Sequence, residues 1–175
     1  MTDPKRIAGI GKRARSLMNE DRWLDAIELL SARSSGAGKH WRLSWNLAWC
    51  YFKLERFDEA RKHMTRADKL APSSDVCKWG LGSVYLKKRQ FKKAEVVLSE
   101  ALRLRESDRS RTALALAYLA QGKIAEAEEM HRENIKLKPK DSARYESYAA
   151  FLSDVGRERE SEKMMQKVRM LRAVN

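Results

Sequence analysis

Aromatic and basic side chains lie at helical spacing in one short stretch of this sequence. Trp45, Trp49 and Phe52 follow an i, i+4, i+7 pattern, which places all three on one face if the stretch is an α-helix. Arg42 and Lys53 border the same face. Tryptophan and arginine are strongly enriched at the energetic centres of protein interfaces, where truncating one costs about 2 kcal/mol or more. The chemistry that this set offers is therefore binding.

Similar faces recur in the neighbouring stretches, so the predicted site extends beyond one helix. We expect an aromatic middle that anchors a partner and basic flanks that orient it, which favours an apolar segment with acidic flanks. The alternative is that the tryptophans pack against one another, or beneath an N-terminal helix, and leave no open surface. The candidate binding residues are Lys12, Arg15, Arg42, Trp45, Asn46, Trp49, Phe52, Lys53, Trp79, Ser83, Lys87, Arg109 and Leu116.

No catalytic or metal-binding constellation is evident in the sequence. His40, His63 and His131 are far apart, and none has a second ligand at metal-binding spacing. Cys50 and Cys77 form no Cys-x-x-Cys pair, and we interpret both as reduced thiols that pack as small apolar groups. We therefore expect a non-enzymatic protein that needs no metal or cofactor.

Two further motifs are interpreted as structural. The run SSGAGKHW at 34–41 is similar to a phosphate-binding loop, but Arg33 and His40 break the required pattern and no strand precedes it. We expect a flexible glycine linker there. Four glutamates between 126 and 133 are interpreted as a solvated helix face, with a Glu128–Arg132 pair that contributes a few tenths of a kcal/mol.

Two columns of small residues indicate which elements position these side chains. The first, with members 34, 34, 33 and 34 residues apart, is Ala14, Ala48, Gly82, Ala115 and Ala149. The second, at spacings of 34, 34 and 33, is Ala26, Ala60, Ala94 and Ala127. Such periods predict stacked helix pairs, because a methyl-sized residue lets two helices cross closely. The predicted repeats are 7–40, 41–74, 75–107, 108–141 and 142–175.

The middle three repeats resemble the tetratricopeptide repeat family. The matching runs are LAWCYFKLERFDEARKHMTRADKLAP (47–72), LGSVYLKKRQFKKAEVVLSEAL (81–102) and LALAYLAQGKIAEAEEMHRENIKLKP (114–139). The first and last repeats depart from the pattern, for example at Arg33 and Ser161, as terminal repeats that meet water commonly do.

The resemblance implies an all-α fold, a right-handed superhelix of about five helical hairpins in a single domain spanning 1–175. It also implies that the first helices of successive repeats line a concave groove for a peptide or a helix of a partner protein. The family's clamp for carboxylate tails is matched here only at Asn46, since Gly11 and Arg15, and then Val76 and Gly80, occupy its other positions. We therefore expect no binding of that kind.

Composition limits the remaining possibilities. The chain has 175 residues, of which 43% are hydrophobic, and a net charge of +13 that is largest over the first three repeats. No apolar run reaches about 18 residues, and no secretory h-region is present, so we expect no membrane insertion and a cytoplasmic location.

The charge favours an acidic partner, but it is also compatible with a solubility role alone. Three alternatives stay open: a chaperone for a hydrophobic secretion substrate, a protein that binds single-stranded nucleic acid, and a structural or engineered repeat scaffold. Nothing in the sequence resembles a base-reading code, and the oligomeric state is open.

Overall fold

The computed structural model describes residues 4–34 and 40–173, and within these ranges it contains ten α-helices and no strand. The helices are α1 (Pro4–Asn19), α2 (Trp23–Ser34), α3 (Trp41–Lys53), α4 (Phe57–Leu70), α5 (Asp75–Lys87), α6 (Phe91–Leu104), α7 (Asp108–Leu119), α8 (Ile124–Leu137), α9 (Ser142–Asp154) and α10 (Glu158–Ala173). The all-α prediction is confirmed, and each predicted repeat holds one helix pair. The glycine linker predicted at 34–41 falls largely outside the described residues.

Each helix pair turns at one residue with a left-handed backbone. The φ values are 57° at Asp21, 57° at Glu55, 54° at Arg89, 74° at Gly122 and 77° at Gly156. These positions follow the repeat spacing, although only the last two are glycines, the residue that adopts this conformation without strain. In the first three repeats the turn residue does not itself favour this conformation, so we attribute the turn to the packing of the two helices that it joins.

Helices that begin a repeat are capped by side chains at three of the boundaries. Ser74, Ser107 and Asp141 accept hydrogen bonds from backbone N–H groups at the starts of α5, α7 and α9. Such caps satisfy donors that the helix itself leaves unpaired, and each contributes about 1 kcal/mol. The repeat boundaries are thus encoded locally as well as by the apolar pattern.

Both columns of small residues are buried where the helices of a pair cross. Every alanine in them is at most 2% exposed, and Gly82 is buried as well. A Cβ atom added to Gly82 would lie 2.5 Å from Cγ of Leu98. The glycine therefore permits a contact between α5 and α6 that an alanine would obstruct.

The structure divides into two compact units, Met1–Arg105 and Glu106–Asn175. The single domain predicted for 1–175 accordingly stays a prediction. In the first unit, α1 to α6 enclose an apolar interior, in which the central position of each second helix is a large apolar residue: Leu30, Met64 and Leu98, each at most 1% exposed.

The second unit has a polar interior at the equivalent positions. His131 follows Leu98 in that column and is 5% exposed, and Asn134 stands where Ala67 and Ala101 stand in earlier repeats. The guanidinium of Arg111, itself 2% exposed, donates to Oδ1 of Asn134 at 3.2 Å. A polar core was not predicted from the sequence.

Glu128 also departs from its prediction. Its ion pair with Arg132 is present at 2.7 Å, but Glu128 also binds Arg157 at 2.6 Å and accepts a hydrogen bond from the Tyr148 hydroxyl at 2.5 Å. The hydrogen bond from Arg157 is the largest cause that lowers the pKa of Glu128, to about 2. The interpretation of Glu128 as part of a solvated helix face is therefore wrong, because this carboxylate ties α8 to α9 and α10.

Gly82→Ala tests the close crossing of α5 and α6. We expect the variant to lower the free energy of unfolding by about 1–2 kcal/mol, because overpacking costs about 1–3 kcal/mol and the better helix propensity of alanine offsets up to about 1 kcal/mol. Urea denaturation followed by circular dichroism measures it. Gly9→Ala is the matched control, since nothing lies within 4 Å of the added Cβ, and it should be neutral or stabilising. Equal effects of the two substitutions would contradict the crossing.

His131→Leu tests the polar core of the second unit through its pH dependence. Burial lowers the pKa of His131 to about 4, so the unfolded chain takes up a proton at a higher pH than the folded chain does. Stability is therefore lost as the pH falls from about 6.5 towards 4, by about 2 kcal/mol between pH 7 and pH 5. The leucine variant should lose this part of the pH dependence in urea titrations at each pH. Parallel curves for the two proteins would show that His131 is not buried as a neutral side chain.

Candidate functional site

Four aromatic side chains on α3 and α5 form a stacked cluster, here named the aromatic ladder: Trp45, Trp49, Phe52 and Trp79. The ring centroids of Trp45 and Trp49 are 5.5 Å apart with 5° between the planes. Those of Trp49 and Phe52 are 5.0 Å apart at 8°. The ring centroid of Trp79, on α5, lies 5.5 Å from that of Trp49, with 34° between the two ring planes. The predicted shared face on α3 is present, and the rings along it are offset-stacked.

The ladder is fixed to α5 by Trp45. Its indole Nε1–H donates to the carbonyl oxygen of Val76 at 3.4 Å. A Cβ on Gly80 would lie 3.1 Å from this nitrogen and 2.7 Å from the end of the Met64 side chain. The glycine therefore leaves the space into which the indole packs, a role that the sequence analysis missed and that a glycine within a helical pattern could have signalled.

All four rings of the aromatic ladder are half-buried. The alternative in which the tryptophans pack against one another is thus correct in part, but the rings are not sealed inside the protein. Trp45 and Phe52 stack on Trp49 from the preceding and following helical turns, so Trp49 makes ring contacts with both of its neighbours along α3.

Five basic side chains of the candidate site lie on α1, α3 and α5, the three helices whose outer surface we name the first-helix face. They are exposed, and none forms an ion pair with a carboxylate in the described part of the chain: Lys12, Arg15, Arg42, Lys53 and Lys87. Arg42 lies over the Trp41 ring at 4.6 Å, and Lys53 lies 5.7 Å from that of Trp23. Contacts of this kind orient a cation without neutralising it.

The distribution of charge between elements is uneven. Residues 1–105 carry 23 Lys and Arg against 12 Asp and Glu, a net +11, whereas residues 106–175 carry 14 against 12, a net +2. Within the first unit, α1, α3 and α5 hold nine Lys and Arg and one Asp, while α2, α4 and α6 hold eight and seven. The positive charge of the first unit is therefore concentrated on α1, α3 and α5.

The remaining predicted residues differ in their environments. Asn46 is only 4% exposed, and its Nδ2 has no hydrogen-bond partner among the described residues, so this candidate binding residue is buried. Ser83 is half-buried and donates to the carbonyl oxygen of Trp79 at 2.9 Å. Arg109 and Leu116 lie on α7 in the second unit. A binding role for these four residues stays a prediction.

A cavity of about 400 Å³ opens between α1 and the start of α3. Its lining includes two cations of the candidate site, Arg15 and Arg42, and the apolar side chains of Ile7, Trp41 and Leu43. Both arginines were predicted to lie on the binding face, but the cavity was not predicted, because the helix register alone does not show how α1 and α3 pack.

The groups considered for catalysis are placed in packing roles. Cys50 and Cys77 are free thiols with 0% exposure, and burial raises the pKa of Cys50 to about 11 and that of Cys77 above its usual value. A protonated thiol is a poor nucleophile. In residues 4–34 and 40–173 no three His, Cys, Asp or Glu side chains are grouped so that they could hold a metal ion. No helix in the same ranges is both long and apolar enough to span a membrane.

Comparison with known proteins identifies the repeat. A family model described as tetratricopeptide repeat matches residues 12–75 and 80–142. Among curated proteins, none matches the chain in sequence.

Several solved structures share the fold at low sequence identity. MamA from Desulfovibrio magneticus RS-1, from its residue 41 to its end, has a TM-score of 0.82 at 16% identity, over 100% of this chain and 98% of that one. A tetratricopeptide repeat protein from Parabacteroides merdae has a TM-score of 0.85 at 20% identity, over 97% and 66%. MamA AMB-1 has a TM-score of 0.75 at 18% identity, over 95% and 99%. These similarities confirm the predicted fold class.

Trp49→Ala tests whether the aromatic ladder is one packed unit. The substitution removes ring contacts to Trp45, Phe52 and Trp79, and we expect the free energy of unfolding to fall by about 2–4 kcal/mol. Trp41→Ala is the control, because the guanidinium of Arg42 is the one ring partner of Trp41 among the described residues. It should cost no more than about 1.5 kcal/mol. Similar losses in urea denaturation would show that the stacking adds nothing to stability.

Proposed function

This chain belongs to the tetratricopeptide repeat family, and from that membership we propose that its first unit binds a segment of a partner protein along the first-helix face. Proteins of this family generally act as protein–protein interaction modules. The proposed partner segment is apolar or aromatic in its middle and acidic at its flanks. The observation that carries the proposal is the half-buried aromatic ladder on helices whose exposed cations have no carboxylate partner in the described ranges.

Charge supports the acidic flanks. Each of the five exposed cations on the first-helix face could pair with an acidic group of a partner without first breaking an ion pair within the described chain. In the second unit, by contrast, Arg132, Arg157 and Arg172 already bind glutamates at 2.6–2.7 Å. Complementary charge accelerates association and selects against basic partners. The flanks therefore determine which segments approach, while the ladder supplies buried area.

The aromatic ladder supports an apolar or aromatic middle. Trp45, Trp49 and Trp79 would anchor the segment, since half-buried rings lose their remaining contact with water when a partner covers them. Arg15, Arg42, Lys53 and Lys87 would orient it. In the second unit, Arg109 and the 51% exposed Leu116 would contact the same partner or another. The proposal requires no catalysis and no cofactor, and it fits a protein of the cytoplasm.

Single-stranded nucleic acid is the alternative that the basic face favours. Base stacking requires open aromatic faces, and here Trp49 is stacked on both Trp45 and Phe52. Two of the stacking contacts that Trp49 could offer to a base are therefore already made within the protein. A chaperone for a secretion substrate would use the same apolar contacts, and a scaffold without a ligand would use none.

A random-peptide display library, selected on the full chain, tests the proposal and does not depend on the identity of the natural partner. We expect the recovered peptides to combine an aromatic or aliphatic middle with Asp or Glu flanks. A recovered peptide should bind about tenfold more weakly, roughly 1.4 kcal/mol, to the double variant Lys53→Glu with Lys87→Glu. Fluorescence anisotropy with the labelled peptide measures this.

Lys62→Glu with Lys69→Glu is the matched control, because it makes the same charge change at exposed positions of α4. It should leave peptide affinity within about twofold of the parent. Labelled oligothymidine, titrated in parallel, tests the other class of ligand. Tight oligothymidine binding, with a steep fall of log affinity against log salt, would refute the proposal. Peptide affinities that neither double variant changes would refute it as well.

A further inference from the structure

We propose that the cavity between α1 and α3 is a subsite for a glutamate side chain of the bound segment. This inference rests on the proposed function, since it assigns one acidic flank of the partner to one place on the first-helix face. The cavity is lined by Ile7, Ala8, Gly11, Arg15, His40, Trp41, Arg42 and Leu43. Its volume of about 400 Å³ is within the range of small-ligand pockets.

The charge of the lining selects an anion. Arg15 and Arg42 are exposed cations from two different helices, and among the described residues no acidic side chain lines the cavity. Neither arginine forms an ion pair with a carboxylate in the described ranges. A guanidinium presents several N–H donors in a plane that matches a carboxylate. Arg42 is also held over the Trp41 ring at 4.6 Å, which limits the side-chain freedom that it would lose on binding.

The start of α3 adds to the same preference. His40 at its N-cap makes no side-chain capping bond, and the first turn contains no acidic residue. The partial positive charge at a helix N-terminus is therefore not offset by a carboxylate of the helix itself. Here it reinforces a site that the two arginines and the cavity already define.

The apolar part of the lining selects glutamate over a bare anion. Ile7, Trp41 and Leu43 contribute hydrocarbon surface beside the two guanidinium groups. A glutamate side chain has two methylene groups that can pack on this surface and a carboxylate that can reach the arginines. An inorganic anion would satisfy the arginines alone and leave the apolar wall in contact with water.

Gly11 lies in the wall of the cavity. A Cβ at this position would lie 3.8 Å from the Arg15 guanidinium and 3.8 Å from Cδ2 of Leu43, which is ordinary contact, so an alanine would fit. Glycine within a helix is less stable than alanine by about 1 kcal/mol. The helix thus carries a residue that weakens it at the position where a longer side chain would fill the cavity.

The dipeptide N-acetyl-leucyl-glutamate amide tests the subsite by nuclear magnetic resonance of the isotope-labelled full chain. We expect saturable shifts of the Arg15 and Arg42 Nε–Hε signals and of the Trp41 indole, with a dissociation constant on the order of 1 mM. The neutral glutamine dipeptide should bind at least about tenfold more weakly, because it lacks the charge that the arginines pair with. Equal binding of the two dipeptides, or shifts centred elsewhere, would overturn the inference.

Two leucine substitutions on one helix provide the matched variants. Gly11→Leu places a side chain in the cavity and should abolish the shifts, whereas Gly9→Leu, where an added Cβ has no neighbour within 4 Å, should preserve them. Circular dichroism checks that both variants remain helical. If Gly11→Leu unfolds, Arg15→Gln with Arg42→Gln replaces it and should weaken glutamate binding to the level of glutamine. Binding that survives either cavity variant would overturn the subsite.

The outcome is separable from that of the proposed function. Suppose that library-selected peptides require Lys53 and Lys87 but that the glutamate dipeptide does not shift the Arg15 and Arg42 signals. That result would refute the subsite and leave the proposed function in place. Glutamate-dependent shifts at the cavity without any selected peptide would establish the subsite and remove the wider binding face.

Discussion

The fold and the candidate site both depend on helices that approach closely at positions with no side chain beyond a methyl group. The alanines of the two columns are buried, and at two positions on α5 the residue is glycine. Gly82 admits Leu98 between α5 and α6, and Gly80 admits the Trp45 indole between α3 and α5. Gly80 leaves room beside α5 for the Trp45 indole, and this contact positions the aromatic ladder.

The period of the small residues predicted every helix pair, because helix crossings recur at a spacing that the sequence shows directly. Two features of the second unit escaped that reasoning. His131 and Asn134 occupy apolar columns, and only the structure shows that Arg111 pairs with Asn134. Glu128 was assigned its partner Arg132 from spacing alone, whereas Tyr148 and Arg157 come from other helices and a local pattern does not show them.

The candidate site was predictable to the same extent. Helical spacing placed Trp45, Trp49 and Phe52 on one face, but whether rings stack or separate depends on side-chain rotamers and on neighbouring helices. The total charge was evident from composition. How many cations are available to a partner, however, depends on which of them form ion pairs within the protein. In the second unit, Arg132, Arg144 and Arg157 have carboxylate partners, whereas the five exposed cations of the first-helix face have none among the described residues.

This difference in pairing has an energetic consequence for binding. Nine cations share α1, α3 and α5 with a single aspartate. Lys78 pairs with Asp68 and Glu100, whereas the five exposed cations have no carboxylate partner among the described residues. An acidic segment would form new ion pairs with these five side chains. A neutral apolar segment would gain binding free energy only by covering the aromatic ladder. Charge would therefore discriminate between partners.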